Sequence, residues 1–166
     1  MNTSSLGVQF IKEFESLRLT AYVCPAGYLT VGYGHKGNDV KKGMRISDQE
    51  ALDLLVNDLK EAERWVNKYK KYKWSQNEYD AMVSFAFNLG KNTDTLVANG
   101  TRSKEEIAAK IPLYCNAGGS PCEGLRKRRL KEYFLFTKGV YDGRAISDSE
   151  WNAASLKYYS KIVKRI

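Results

Sequence analysis

Leu19-Thr20-Ala21-Tyr22-Val23 and Tyr28-Leu29-Thr30-Val31-Gly32-Tyr33, with Cys24 and the run Pro25-Ala26-Gly27 between them, carry the β-type texture of this chain. β-branched and aromatic side chains crowd both runs, and Pro-Ala-Gly is turn chemistry, so the stretch reads as a hairpin followed by a glycine-rich turn. Outward from it the texture is helical. A first helix is expected over about residues 4–15, with Val8, Phe10, Ile11 and Phe14 inward. Downstream, four Ser-x-x-Glu capping boxes, Ser47/Glu50, Ser75/Glu78, Ser103/Glu106 and Ser147/Glu150, mark helix starts, because serine and glutamate satisfy each other's orphan amides. After Ser47 the positions Leu52, Leu55, Val56, Leu59, Ala62, Val66 and Tyr69 keep a helical rhythm and predict a helix of more than six turns. After Ser75, Tyr79, Met82, Val83, Phe85, Ala86 and Leu89 are apolar on most faces, as in a buried central helix, and Gly90 suits its C-cap. The expected class is α+β: a hairpin lobe, a long connecting helix and an all-helical remainder. Chains built this way tend to place a cleft between lobes.

The 166 residues suit one domain, with 43% hydrophobic and 28% charged residues, enough apolar material to exclude wholesale disorder. The net charge of +8 is uneven: residues 124–166 carry +7 of it. That surplus calls for an anionic partner, whether nucleic acid, a membrane face or an acidic wall polymer. Three cysteines exclude a disulfide scaffold and leave one thiol spare. Cys115 and Cys122 flank Asn116-Ala117-Gly118-Gly119-Ser120-Pro121, where a local bridge is sterically conceivable, although two unpaired thiols are the favoured reading. With His35 as the single histidine and no Cys-x-x-Cys pair, no metal is expected. No apolar run approaches the roughly 18 residues of a membrane span, and the N-terminus lacks a basic export signal. The expectation is a soluble protein made without its own leader.

Glu15 at the end of the first helix, Cys24 at the hairpin turn and Thr30 on its second strand can converge on one face of a cleft. Spacing alone says little more, since an acid at a helix end is usually solvated. Lys68, Lys70, Lys71 and Lys73, and the cluster Arg126–Arg129 with Lys131, have the charge of a nucleic-acid patch, and Tyr69, Tyr72 and Trp74 interleaved with the first run are one mark of single-strand binding. No nucleic-acid module accompanies either, and on a helix those aromatics pack inward while lysines stay solvated.

Phe14-Glu15-Ser16-Leu17-Arg18-Leu19-Thr20-Ala21-Tyr22 followed by Gly27-Tyr28-Leu29-Thr30-Val31-Gly32-Tyr33-Gly34-His35 resembles the signature of phage-type lysozymes, glycoside hydrolase family 24. Gln76 to Gly90 is similar to the family's buried helix, and Gly124-Leu125-Arg126-Lys127-Arg128-Arg129 to its late basic motif; the likeness is weakest over residues 91–121. The resemblance implies one lysozyme-like domain over residues 1–166, with a hairpin lobe at about 12–60 and a helical lobe from 1–11 plus 61–166. It implies an inverting muramidase that cuts the β-1,4 bond between N-acetylmuramic acid and N-acetylglucosamine in peptidoglycan, with no metal or organic cofactor.

The family's triad of Glu, Asp or Cys, and Thr falls on Glu15, Cys24 and Thr30. Glu15 would be the general acid, which requires a carboxyl still protonated near neutral pH, and Arg128 its partner. Cys24 stands where many members carry Asp, and its role as base, water holder or nucleophile stays open beside the plain reading of a small apolar filler. An unperturbed thiol is a poor base at neutral pH unless its pKa is lowered by positive neighbours. Thr30 would orient water. Ser84, Phe87 and Asn88 fall where cleft-wall residues contact the sugar, with a buried Asn88 amide offered to an acetamido group. His35 reads as a structural hydrogen-bonder near the cleft. One arginine of the late motif belongs to the site and the rest face the wall. The implied biology is a monomeric endolysin, held in the host cytoplasm until a separate holin-like membrane protein releases it to the wall, with no stable membrane insertion and no nucleic-acid partner. The alternative is a catalytically weak peptidoglycan-binding domain of the same fold.

Overall fold

A computed structural model of the chain describes residues 1–165. Helix α1 (Ser5–Lys12) starts under Ser4, whose hydroxyl accepts from the Gly7 amide. Asp80 of a later helix holds this start, accepting from the Ser4 amide at 3.0 Å and the Ser4 hydroxyl at 2.5 Å. The approach demands glycine, because a Cβ at Gly7 would lie 2.6 Å from the Asp80 carboxyl carbon. α1 is shorter than expected. It stops at Lys12, and the Phe14 and Glu15 amides donate to Ile11 and Lys12 in the turn that aims the chain at the sheet. Phe10 and Phe14 meet edge to face at 5.2 Å and pin that turn.

Strands β1 (Arg18–Val23) and β2 (Leu29–Gly32) pair antiparallel, Val23 with Leu29 and Tyr22 with Thr30. Their connection closes when the Gly27 amide donates to Cys24 O at 2.8 Å, with Gly27 at φ +85, where only glycine sits without strain. On the far edge of β1, Met44 and Ile46 add backbone bonds to Ala21 and Leu19. Val31, Val40, Ile46 and Ala51 form a small core under the sheet.

Helix α2 (Asp48–Asn67) has 20 residues, about five and a half turns rather than the expected six or more. Tyr69 falls in the short turn beyond it. The buried stripe is Ala51, Leu55, Leu59, Ala62 and Val66; Val56, expected inward, is 45% exposed. Ala51 belongs to the small core and Leu55 onward to the main one, so the helix spans both. α3 (Gln76–Leu89) is buried without a break from Tyr79 to Ala86, and Gly90 ends it at φ +51. It packs against α1, α2 and α6 (Glu123–Lys138). Two short helices, α4 (Asn92–Leu96) and α5 (Lys104–Lys110), close one end, and α7 (Asp148–Tyr159) packs on α6.

All four predicted capping boxes form, with both reciprocal bonds in each. The helical remainder is not purely helical. β3 (Asn116–Ala117) and β4 (Ser120–Pro121) make a second hairpin on Gly118 and Gly119, both at positive φ, so the local glycine pair outweighs the helical surroundings. Cys115 and Cys122 flank it with their thiols free. Tyr69 and Trp74 are buried and Tyr72 stacks on Trp74 at 4.4 Å, while the four interleaved lysines are exposed. Those rings are core, not a stacking platform. Among the described residues no helix is long and apolar enough to cross a membrane.

Candidate active site

A cleft of about 700 Å³ opens between the first hairpin, α2 and the end of α3, and Glu15, Cys24, Thr30 and Phe87 all line it. Glu15 sits in the turn after α1, its side chain 23% exposed. Arg128 reaches it from α6: Nη1 donates to Glu15 Oε1 at 2.8 Å, and the guanidinium lies 4.8 Å from the Phe14 ring centre. Arg128 is itself held twice more, through Nη2 to the Ser84 carbonyl at 3.1 Å and through Nε to Glu132 Oε1 at 3.1 Å.

Across the cleft, Cys24 and Thr30 are both buried. The Thr30 hydroxyl donates to Tyr28 O at 3.1 Å. Hydrogen bonding with the Thr30 side chain, and then with the Tyr28 and Ala26 backbone, holds the Cys24 thiol below its ordinary value against the opposing effect of burial. Lys36 adds the smallest push in the same direction. The condition set by the sequence, a cationic neighbour, is thus met mainly by a hydroxyl and turn amides. A lowered thiol is more often a thiolate near neutral pH and a better acceptor of a proton from water.

The other selected residues lie elsewhere. Ser84 is not a cleft-wall residue: it is fully buried on the α6 face of α3, its hydroxyl donating to Glu132 Oε1 at 2.7 Å. Asn88 is not a buried amide awaiting a sugar. It is an exposed residue whose Oδ1 accepts from Arg129 Nη2 at 2.5 Å, beside a second depression that also touches Glu15 and Arg128. One helical turn separates Ser84 from Asn88, and both bond to α6, whereas Phe87 borders the cleft. His35 is clamped between carboxylates, Nδ1 at 2.9 Å from Asp58 and Nε2 at 3.1 Å from Asp39. Burial lowers its pKa, but Asp58 and then Asp39 outweigh that, and the net shift is upward from 6.5. It ties the loop after β2 to α2 behind the cleft.

Sequence reasoning missed two groups. Asn57, Glu61 and Trp65 of α2 line the cleft at four-residue intervals, one stripe beside the buried one. That spacing was visible, but a polar stripe on an amphipathic helix reads as solvent-facing until something stands opposite. Arg129 and Glu132 are fully buried, so Arg129 is no wall-facing charge. Their spacing of three was the available signal. Among the described residues no cluster of histidine, cysteine and acids is arranged to hold a metal.

The family described as phage lysozyme matches residues 12–132. The endolysin of Bacillus phage PZA is 37% identical over 84% of this chain, which spans 57% of that relative's length. Among solved structures, the endolysin from Escherichia coli O157:H7 phage FAHEc1 superposes with a TM-score of 0.76 at 33% identity, covering 86% of this chain and 97% of that one. The muramidase domain of SpmX from Asticaccaulis excentricus gives 0.73 at 32% identity, covering 82% and 98%.

Proposed function

The chain belongs to the phage lysozyme family, and from that premise we propose that it is an endolysin-type muramidase hydrolysing the β-1,4 bond between N-acetylmuramic acid and N-acetylglucosamine in peptidoglycan. The observation that carries this reading is the cleft itself: Glu15, fixed from behind by Arg128, faces a hairpin wall presenting Cys24 and Thr30. A glycosidic bond lying in the cleft has a proton donor on one side and a water-holding thiol and hydroxyl on the other. That is the division of labour of an inverting hydrolase. Glu15 protonates the leaving oxygen. Cys24, its pKa lowered by Thr30, accepts the proton of the attacking water or positions it, and Thr30 completes the water's contacts. Phe87 and Trp65 offer apolar faces to the sugar rings. In this reading the lobes at 12–60 and at 1–11 plus 61–166 meet at the cleft in one domain. The net charge of +8 draws the monomer to the anionic wall once a holin-like lesion releases it from the cytoplasm.

The test is turbidity loss of purified peptidoglycan with anomer analysis of the first products. Glu15→Gln is expected to cut the rate about 10³-fold, within the range for a positioned general acid. Native protein no faster than Glu15→Gln would overturn the reading and leave a wall-binding domain; products retaining the anomeric configuration would overturn inversion alone.

A further inference from the structure

Glu132 is fully buried, carries a carboxylate, and does not line the cleft, yet every bond it makes concerns the group behind Glu15. Its Oε1 accepts from Arg128 Nε at 3.1 Å and from the Ser84 hydroxyl at 2.7 Å, and its Oε2 accepts from Arg129 Nη1 at 2.6 Å. Arg129 is also fully buried, its guanidinium 5.0 Å from the Phe85 ring centre and bonded to Asn88 Oδ1, with Nε unpartnered. Two adjacent guanidiniums and one carboxylate therefore share one desolvated volume, where charges act on each other far more strongly than in water, and the Glu15 carboxyl meets it at the edge of the cleft.

Burying two like charges side by side is costly unless an anion is set between them. The inner carboxylate does this geometrically as well as electrically. It occupies Arg128 Nε, so that the fork turns Nη1 outward to Glu15, and it neutralises one of the two positive charges. When Glu15 is ionised the four groups sum to zero; when Glu15 is protonated they sum to plus one. Without Glu132 the corresponding sums are plus one and plus two, a field that favours the ionised form of Glu15 and opposes its service as an acid.

We infer that Glu132 is a positioning residue for the reaction, which with Arg129 sets how much positive charge Arg128 presents to Glu15. This rests on the muramidase reading, in which Glu15 must be protonated to act. Other ionisable groups also face Glu15. Lys127 and Lys131 come from α6, Lys131 being bound to Glu13 at 2.9 Å. Arg165 lies beside them. Tyr22, Cys24 and Lys36 look in from the hairpin side, and Asp58, Lys60, Glu61 and Arg64 from α2. Tyr159 and Cys115 approach Arg129 from its far side. Substitutions confined to Arg129 and Glu132 leave all of these in place.

The experiment is the pH profile of peptidoglycan lysis for four proteins. Glu132→Gln is expected to move the alkaline limb down by about one pH unit, Arg129→Gln to move it up by a similar amount, and the double variant to return it to the native position, as for charges a few ångströms apart. A merely structural role lowers activity at every pH without moving the limb, and that result overturns the inference, as does a shift of the same sign in both single variants. If Glu132→Gln does not fold, two charge-matched doubles decide the matter. Arg129→Gln/Glu132→Gln keeps Arg128 on Glu15 and should keep the native limb. Arg128→Gln/Glu132→Gln leaves Arg129, which does not touch Glu15, and should lose it. Equal limbs in the two doubles overturn the proposal. Absence of lysis by native protein would instead defeat the muramidase reading, so the two failures are distinguishable.

Discussion

The two walls of the cleft are built in opposite ways. The hairpin wall is local: Gly27 closes on Cys24, and the Thr30 hydroxyl donates to a carbonyl two residues back. The α6 wall is remote in sequence: Arg128 meets Glu15 across 113 residues and the Ser84 carbonyl across 44, and Arg128 is itself buried. A turn enforces the geometry of the first wall wherever the turn forms. The second exists only when α1, α3 and α6 are already packed, because its charges are unaffordable singly. The difference predicts that the α6 wall is sensitive in stability and the hairpin wall in chemistry.

The largest expected effect tests that contrast directly. Arg128→Gln removes one member of a buried ion network and should cost about 3 kcal/mol of folding stability as well as activity, measured by denaturant unfolding alongside the lysis assay. A loss in activity with no loss in stability would break the comparison, since α6 would then behave like the hairpin. A smaller effect is expected at the turn. Cys24→Asp should keep lysis within about tenfold of native and Cys24→Ala should fall further, as expected of a base or water holder worth at least tenfold, with thermal stability nearly unchanged in both. Equal activity of Cys24→Ala and native protein would remove the thiol from the chemistry.

The smallest effect is expected at His35, the tie between the hairpin's loop and α2. Its folded pKa lies above 6.5, so the stabilisation from its charged contacts with Asp58 and Asp39 is fully present below about pH 6.5 and is lost as pH rises through the raised value. The gap in melting temperature between native protein and His35→Gln should therefore be wider at pH 5.5 than at pH 9. A gap independent of pH would show that His35 acts as a neutral hydrogen-bonder.

How much was legible follows the same division. The capping boxes were readable because serine and glutamate three residues apart satisfy each other without outside help, and all four formed. Glu15, Cys24 and Thr30 were singled out by spacing and resemblance, and the cleft brings them onto its lining. The ends of α1 and α2 were overextended, since an apolar rhythm continues into Phe14 and Tyr69 even where the chain has left the helix to pack those rings. Ser84 and Asn88 were placed on the cleft by the resemblance, but which side chains of α3 reach the cleft is decided by what the helix packs against.

The amino-acid order alone determined the helix starts and the local wall: turn glycines and capping pairs are satisfied by neighbours a few residues away. The resemblance already implied Arg128 as the partner of Glu15, and the two meet at 2.8 Å; only the tertiary structure decided that Arg129 and Glu132, ordinary surface charges by type, are buried together. Charge burial is a property of the assembled fold. A guanidinium is inexpensive in water and costly in a core, and residue type alone does not say that Arg129 will be buried with the carboxylate that makes the core tolerable.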